Sequence, residues 1–264
     1  LFSSLTTKAK LLSKKVKNDK IGARRKKFML KLEKVTKVYE NGKVGANNIN
    51  LQIEAGDIFA FIGHNGAGKT TTIKGVVGIQ QITSGNVFID GISLQKNPVE
   101  CKKHMAYIPD NPDIYTTLTG MQYINLIADI YGVEKQKRQD NVQKYAQLFE
   151  LTKELNAPIS TYSHGMRQKL VLISALVHEP KLLILDEPFV GLDPKASFSL
   201  KTLMKEFVAN GGAIFFSTHV LEVAEKLCNK VAIIKDGEII ANGTMAEIKK
   251  DASLEQVFLE SANE

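Results

Sequence analysis

Two cysteines in 264 residues, Cys101 and Cys228, leave little room for cysteine chemistry. Neither has a second ligand at zinc or redox spacing, which excludes a zinc ribbon and a C-x-x-C pair. Both are expected as ordinary thiols in a reducing cytoplasm. No apolar stretch approaches the roughly 20 residues that a membrane-crossing helix needs. The N-terminus is basic but lacks the continuous apolar core and cleavage site of a secretory signal. Internal repeats, a second phosphate-binding motif and a long coiled coil are also missing. Hydrophobic residues still make up 44% of the chain, enough for a large core, so a soluble globular fold is expected.

Charge of one sign is scarce outside the first residues. The formal net charge is +7, yet residues 1–27 hold ten Lys or Arg and only one acid, Asp19. The rest of the chain carries 25 basic residues against 27 acidic ones. The body therefore has no electrostatic reason to grip nucleic acid, and none is expected as a partner. This shift separates a basic N-terminal extension, 1–27, from a folded domain, 28–264. Within the extension Leu1, Leu5, Ala9, Leu12 and Val16 recur at helical spacing. Lys8, Lys10, Lys14, Lys15 and Lys17 would occupy the other faces, a composition suited to an anionic membrane surface.

One dense motif stands against these absences. Gly63-His64-Asn65-Gly66-Ala67-Gly68-Lys69-Thr70 fits G-x-x-x-x-G-K-T. An apolar run at 57–62 precedes it and reads as a buried parallel strand. Residues 71–78 read as a helix in spite of poor propensity. A weak helix makes sense where its first turn must aim backbone N–H groups at phosphate. The glycines let the loop curl into an anion nest, Lys69 reaches the β- and γ-phosphates, and the Thr70 hydroxyl suits magnesium. A nucleoside triphosphate is the expected ligand, with Gly63, His64, Asn65, Gly66, Ala67, Gly68, Lys69, Thr70 and Thr71 around it.

Around this loop the pattern alternates. Strands are expected at 29–35 and 49–53, turning at Asn41-Gly42, and again at 87–89 and 105–108. From 117 to about 155 the period becomes helical. Thr119 and Gln122 can form a capping box, and Tyr123, Leu126, Ile127 and Ile130 make one apolar face. Gly132 would end that helix, and a second would cover 134–149. Strands at 182–185, 213–217 and 231–234 then alternate with helices at 195–208 and 221–227. A last hairpin strand at 238–241 follows the Asp236-Gly237 turn. The expected fold is α/β: a P-loop nucleotide-binding fold with a mostly parallel core sheet, an antiparallel β subdomain and an inserted helical subdomain at about 111–176. The strand at 182–185 runs into Asp186-Glu187. These carboxylates emerge at a strand's carboxyl end, Asp186 placed to hold magnesium and Glu187 to orient or deprotonate the attacking water.

With these two motifs in place the chain resembles the ATP-binding-cassette (ABC) family over nearly all of residues 28–260. Tyr162-Ser163-His164-Gly165-Met166-Arg167-Gln168-Lys169 stands where that family has its signature, and Gly191-Leu192-Asp193 where it has its D-loop. Ser217-Thr218-His219 closes a strand and would supply the switch histidine at the γ-phosphate. Tyr39 stands where an aromatic stacks on adenine. The resemblance implies ATP and Mg2+ as cofactors, with Glu187, His219, Lys69 and Asp110 as catalytic residues. It implies Thr70, Asp110 and Asp186 at the metal. Ser163, Gly165 and Met166 would contact the nucleotide of a second cassette, in a homodimer or with a closely related chain. His164 and Met166 replace the usual glycine and glutamine of the signature, and Asp110 replaces a usual glutamine. The strings around 163–169, 217–225 and 254–260 are similar to bacterial exporter ATPases of the Ecs and antibiotic-resistance type. Those work at the cytoplasmic face of the membrane with a separately encoded membrane-spanning subunit. The alternative is a soluble single-cassette ATPase acting in assembly or regulation.

Overall fold

The computed structural model describes residues 28–249 and 252–263. The helix expected within 1–27 lies outside them. Two sheets carry the fold. In the first, β1 (Phe28–Val38) and β2 (Val44–Glu54) form an antiparallel hairpin around Asn41-Gly42. β4 (Ser84–Ile89) pairs with the other side of β1, and the short β5 (Ile92–Ser93) extends it.

The second sheet has the order β10-β9-β3-β8-β7-β6. Its parallel members are β3 (Ile58–Ile62), β6 (Met105–Ile108), β7 (Leu182–Asp186), β8 (Ala213–Thr218) and β9 (Lys230–Lys235). β10 (Glu238–Thr244) folds back antiparallel through Asp236-Gly237, both with positive φ, as an inward-twisting hairpin turn demands.

These parallel strands are apolar at nearly every position because each face meets a different core. Phe59, Phe61, Leu182, Ile184, Phe215 and Ala232 point at the antiparallel sheet and α1 (Lys69–Val76). Ile58, Ala60, Ile62, Leu183, Leu185 and Phe216 point the other way, at α5 (His164–Leu176), α6 (Pro194–Ala209) and α7 (Leu221–Leu227). Register then fixes the functional edge. Ile62 pairs with Thr218, and Asp186 pairs with Ser217. Gly63, Glu187 and His219 therefore leave the sheet side by side.

Between β6 and β7 the chain inserts α3 (Gly120–Ile130), α4 (Lys135–Leu148), a 3-10 turn (Ile159–Thr161) and α5. The capping box is present in both directions, with Thr119 accepting from the Gln122 amide and Gln122 from the Thr119 amide. Gly132 has φ +65° and sends its N–H to the Asp129 carbonyl, closing α3. The apolar face expected for α3 is corrected. Burial centres on Gly120, Ile124 and Ala128, flanked by Tyr123 and Ile127, whereas Leu126 is 37% and Ile130 69% exposed. Gly120 and Ala128 are small, a Cβ on Gly120 would stand 2.4 Å from the Tyr162 hydroxyl, and a search for bulky apolar residues passes over both. α1 begins at Lys69, two residues before the helix expected there. α2 (Pro98–His104), α8 (Met245–Lys249) and α9 (Leu254–Asn263) were not anticipated as helices.

Candidate functional site

A cleft of about 470 Å³ opens where the parallel strands end. Of the expected ligand residues, Tyr39, His64, Asn65, Gly66, Gly68, Lys69, Thr70, Thr71, Asp110 and Glu187 line it. Gly63 and Ala67 are buried beneath the loop. Gly68 has φ +105°, and a Cβ there would stand 2.4 Å from the Gly45 carbonyl oxygen, so the lysine that follows can be delivered only from glycine. Lys69 is 6% exposed. Its Nζ donates to the carbonyls of Gly63 (2.7 Å) and His64 (3.2 Å) and lies 3.5 Å from Glu187 Oε1.

The opposite oxygen of Glu187 faces His219 Nδ1 at 3.0 Å, so the carboxylate sits between lysine and histidine. Glu187 holds φ +49°, a left-handed conformation that costs a non-glycine residue roughly 1–3 kcal/mol. Such a cost persists only where the surroundings impose it. Here Ser217 imposes it: its Oγ donates to Asp186 Oδ1 and accepts the Glu187 N–H at 3.0 Å. One buried hydroxyl thus orients both adjacent acids. Asp186 itself is 2% exposed and lies behind the cleft wall. Asp110, just past β6, is exposed at the rim; partial burial, then the negative charges of Asp186 and Glu187, raise its carboxyl above the ordinary range. The His164 and His219 rings oppose that rise.

On the far wall the Tyr39 hydroxyl hydrogen-bonds Thr71 Oγ1 at 2.9 Å, which lowers its pKa from the usual tyrosine value. Gly45 permits this contact. A Cβ there would come within 2.6 Å of Thr71 and 2.7 Å of Tyr39. Sequence reasoning missed Gly45 and Ser217, and also Asn41, Lys43 and Val44 at the mouth of the cleft. A serine in the otherwise apolar run 213–217, two residues before His219, was the one available signal: a buried hydroxyl needs a partner.

A family model described as ABC transporter matches residues 46–190, the span from the second strand through the paired acids. The chain belongs to the ABC transporter family. It is 34% identical over 241 residues to the ABC-type transporter ATP-binding protein EcsA of Bacillus subtilis (strain 168), covering 89% of this chain and 97% of that one. It is 35% identical over 223 residues to the bacitracin transport ATP-binding protein BcrA of Bacillus licheniformis, covering 84% and 72%. A solved structure of an ATP-binding subunit of an ABC transporter superposes with a TM-score of 0.85 at 33% identity, over 89% and 99%. The chain is thus the ATP-binding subunit of an ABC transporter, an ATPase whose hydrolysis drives transport. Among the described residues no helix is long and apolar enough to cross a membrane.

In this ABC ATPase the signature residues form a second, separate cluster. Ser163 caps α5, its Oγ accepting from the Met166 N–H at 3.2 Å. Ser163 is exposed and Gly165 and Met166 are half-buried, and none of the three lines the cleft. Instead the cluster is tied to the Gly191-Leu192-Asp193 segment of its own chain. The His164 ring lies over Gly191, where an added Cβ would approach Cδ2 to 2.5 Å. Lys169 Nζ reaches Asp193 Oδ2 at 2.8 Å, and Asp193 caps α6 through the Ala196 N–H. Those two contacts, Lys169 first, hold the Asp193 carboxyl below its ordinary range.

Proposed function

We propose that this ATPase powers an exporter from the cytoplasmic face of a membrane, bound to a separately encoded membrane-spanning subunit. Two copies, or this chain and a closely related cassette, would meet head to tail. The observation that carries the reading is the separation of the cleft from the Ser163–Met166 helix end: one chain holds two unlike half-sites. A helix N-terminus suits a phosphate, and the one at Ser163 needs another chain to supply it. Similarity to a protein named for bacitracin transport supports export, since an antibiotic is cargo that a cell moves outward.

In this scheme the amides of 63–71 and the Lys69 ammonium bind the phosphates, and the Tyr39 ring takes the adenine. The donors expected at a metal, Thr70, Asp186 and Asp110, are all oxygen, which fits a hard cation such as Mg2+. When bound, that ion neutralises charge on the phosphate oxygens. Glu187 orients or deprotonates the attacking water, and His219 holds the carboxylate through the 3.0 Å contact while facing the γ-phosphate. Phosphate binding would compete with Glu187 for Lys69, freeing the carboxylate for water. Ser163, Gly165 and Met166 close over the partner's nucleotide.

Mixing two inactive variants tests the head-to-tail site. Lys69→Ala and Ser163→Arg chains should each fail alone, yet random heterodimers contain one intact composite site. Phosphate release by the mixture should recover to about a quarter of the parental rate. No recovery, with mixed dimers demonstrated by differential tagging, overturns the shared site.

A further inference from the structure

The C-terminal helix α9 touches the loop that follows β3 and the helix that follows β8. Leu254 is fully buried and Phe258 is 9% exposed. The Phe258 ring lies against the His64 ring, with centroids 4.6 Å apart and planes inclined by 53°. His64 belongs to the phosphate loop, and its carbonyl accepts from the Lys69 ammonium. On its other side α9 packs against α7, which starts two residues beyond His219. Glu225 of α7 accepts from Lys249 Nζ and from the Leu254 N–H. Phe258 also borders a cavity of about 300 Å³ with Ile233, Ile234 and Ile240, so the ring is packed on some sides only and has room to shift.

A glycine-rich loop that binds through its amides must be ordered before it binds, and each contact that orders it in advance lowers the entropic cost of capturing phosphate. His64 is otherwise exposed, and the Phe258 ring is an apolar surface on which it can rest. We propose that Phe258 is a positioning residue: by packing on His64 it preorganises the phosphate loop, so that α9 sets the affinity for ATP. Displacement of α9 would loosen the loop and release α7 at the same time. A partner that binds the C-terminal helix would thereby gain control of nucleotide affinity without entering the cleft. The proposal rests on the assignment of residues 63–71 to the triphosphate.

The chain contains no tryptophan, so Phe258→Trp supplies a single fluorophore beside the loop. Its emission should change on ATP addition, with a midpoint matching the KM. Phe258→Ala should raise the KM for ATP about three- to tenfold, the range set by one ring pair, and leave kcat within about twofold. Phe258→Tyr should restore the parental KM. In a His64→Ala background the Phe258→Ala change should add little further, because the pair acts as one unit. Phe258→Leu keeps apolar volume and carries the same measurement if the alanine variant does not fold. A parental KM in folded Phe258→Ala or Phe258→Leu protein, or ATP-insensitive emission from active Phe258→Trp, overturns the proposal. Equilibrium dialysis of Lys69→Ala separates the two levels: retained ATP binding there would show that the cradle assignment itself has failed.

Discussion

Lys69 and Ser163 both stand at the start of a helix, yet the two helix ends are built in opposite ways. α1 has Gly68 at its cap position, with no side chain to accept its first amides. α5 is capped by Ser163. Glycine in place of a serine cap costs a helix roughly a few tenths of a kcal/mol, which a short, β-branched helix can least spare. α1 is sustained by Ile73, Val76 and Val77 in the core, and its open amides suit the phosphate proposed for them. Charge follows the same division. The cleft closes on itself, with Lys69, Glu187 and His219 in one chain of contacts, while Ser163 stays open at the surface. In the proposed scheme one edge takes the ligand and the other meets a partner that brings one.

The strongest test of this difference removes chemistry from the closed edge and leaves its binding groups in place. Glu187→Gln should reduce phosphate release by about 10²- to 10⁴-fold, the usual worth of a positioned general base. ATP affinity should persist, and light scattering with ATP should find a long-lived dimer as the open edge stays clamped on its neighbour. Parental turnover would move the base to another residue.

Both edges were legible in the sequence to different depths. Gly63–Thr70 and the acids at 186–187 stood out because chemistry restricts which residues can occupy those places. β3, β7, β8 and β9 were legible because strands covered on both faces are apolar throughout. What escaped depends on neighbours distant in the chain. Ser217 acts on Asp186 from the adjacent strand, and Gly45 matters only because Tyr39 and Thr71 meet above it. α3 shows the limit of periodicity: Leu126 and Ile130 fit an apolar stripe, yet Gly120, Ile124 and Ala128 are what the helix buries. For α9, the pair Leu254 and Phe258, four residues apart, was the visible sign of a packed helical face.

Asp110 offers a smaller perturbation of the closed edge. Asp110→Gln removes a negative charge beside Asp186 and Glu187 and leaves the loop and Lys69 untouched. We expect parental ATP affinity and a change in kcat of less than about tenfold, measured by steady-state hydrolysis. Loss of nucleotide binding would make Asp110 part of the cradle itself.

The joint between the two regions should respond to acid. His178, two residues past α5, stacks on Tyr131 at the end of α3, with centroids 3.8 Å apart. Its Nε2 faces the Met105 carbonyl of β6 at 3.3 Å. Burial holds its pKa below the ordinary value of 6.5, and the Met105 contact opposes this only in part. The unfolded chain therefore binds this proton more readily than the folded one. The neutral ring's contribution to stability is fully present above pH 6.5 and is lost as pH falls through the folded-state pKa. His178→Phe keeps a ring and removes the titration. Urea midpoints at pH 7.5 and 5.5 should fall further for the parent than for this variant; equal falls would show that folding leaves the His178 pKa unchanged.

The smallest effect on catalysis is expected from residues 1–27. Their ten basic residues against one acid contrast with a nearly balanced body. Near an anionic surface each such charge contributes about 1 kcal/mol at most and is screened by salt. An apolar stripe through Leu1, Leu5, Ala9, Leu12 and Val16 would add a salt-resistant component. Deleting residues 1–26 should leave basal ATP hydrolysis unchanged, since every residue proposed to bind or hydrolyse ATP lies between Tyr39 and His219. Binding to vesicles rich in anionic lipid should weaken at low salt and converge with the parent as salt rises. If the difference instead persists at high salt, the apolar stripe outweighs the lysines. If truncated and full-length proteins bind vesicles equally at low salt, the extension has no part in membrane docking, and the comparison reduces to the two edges alone.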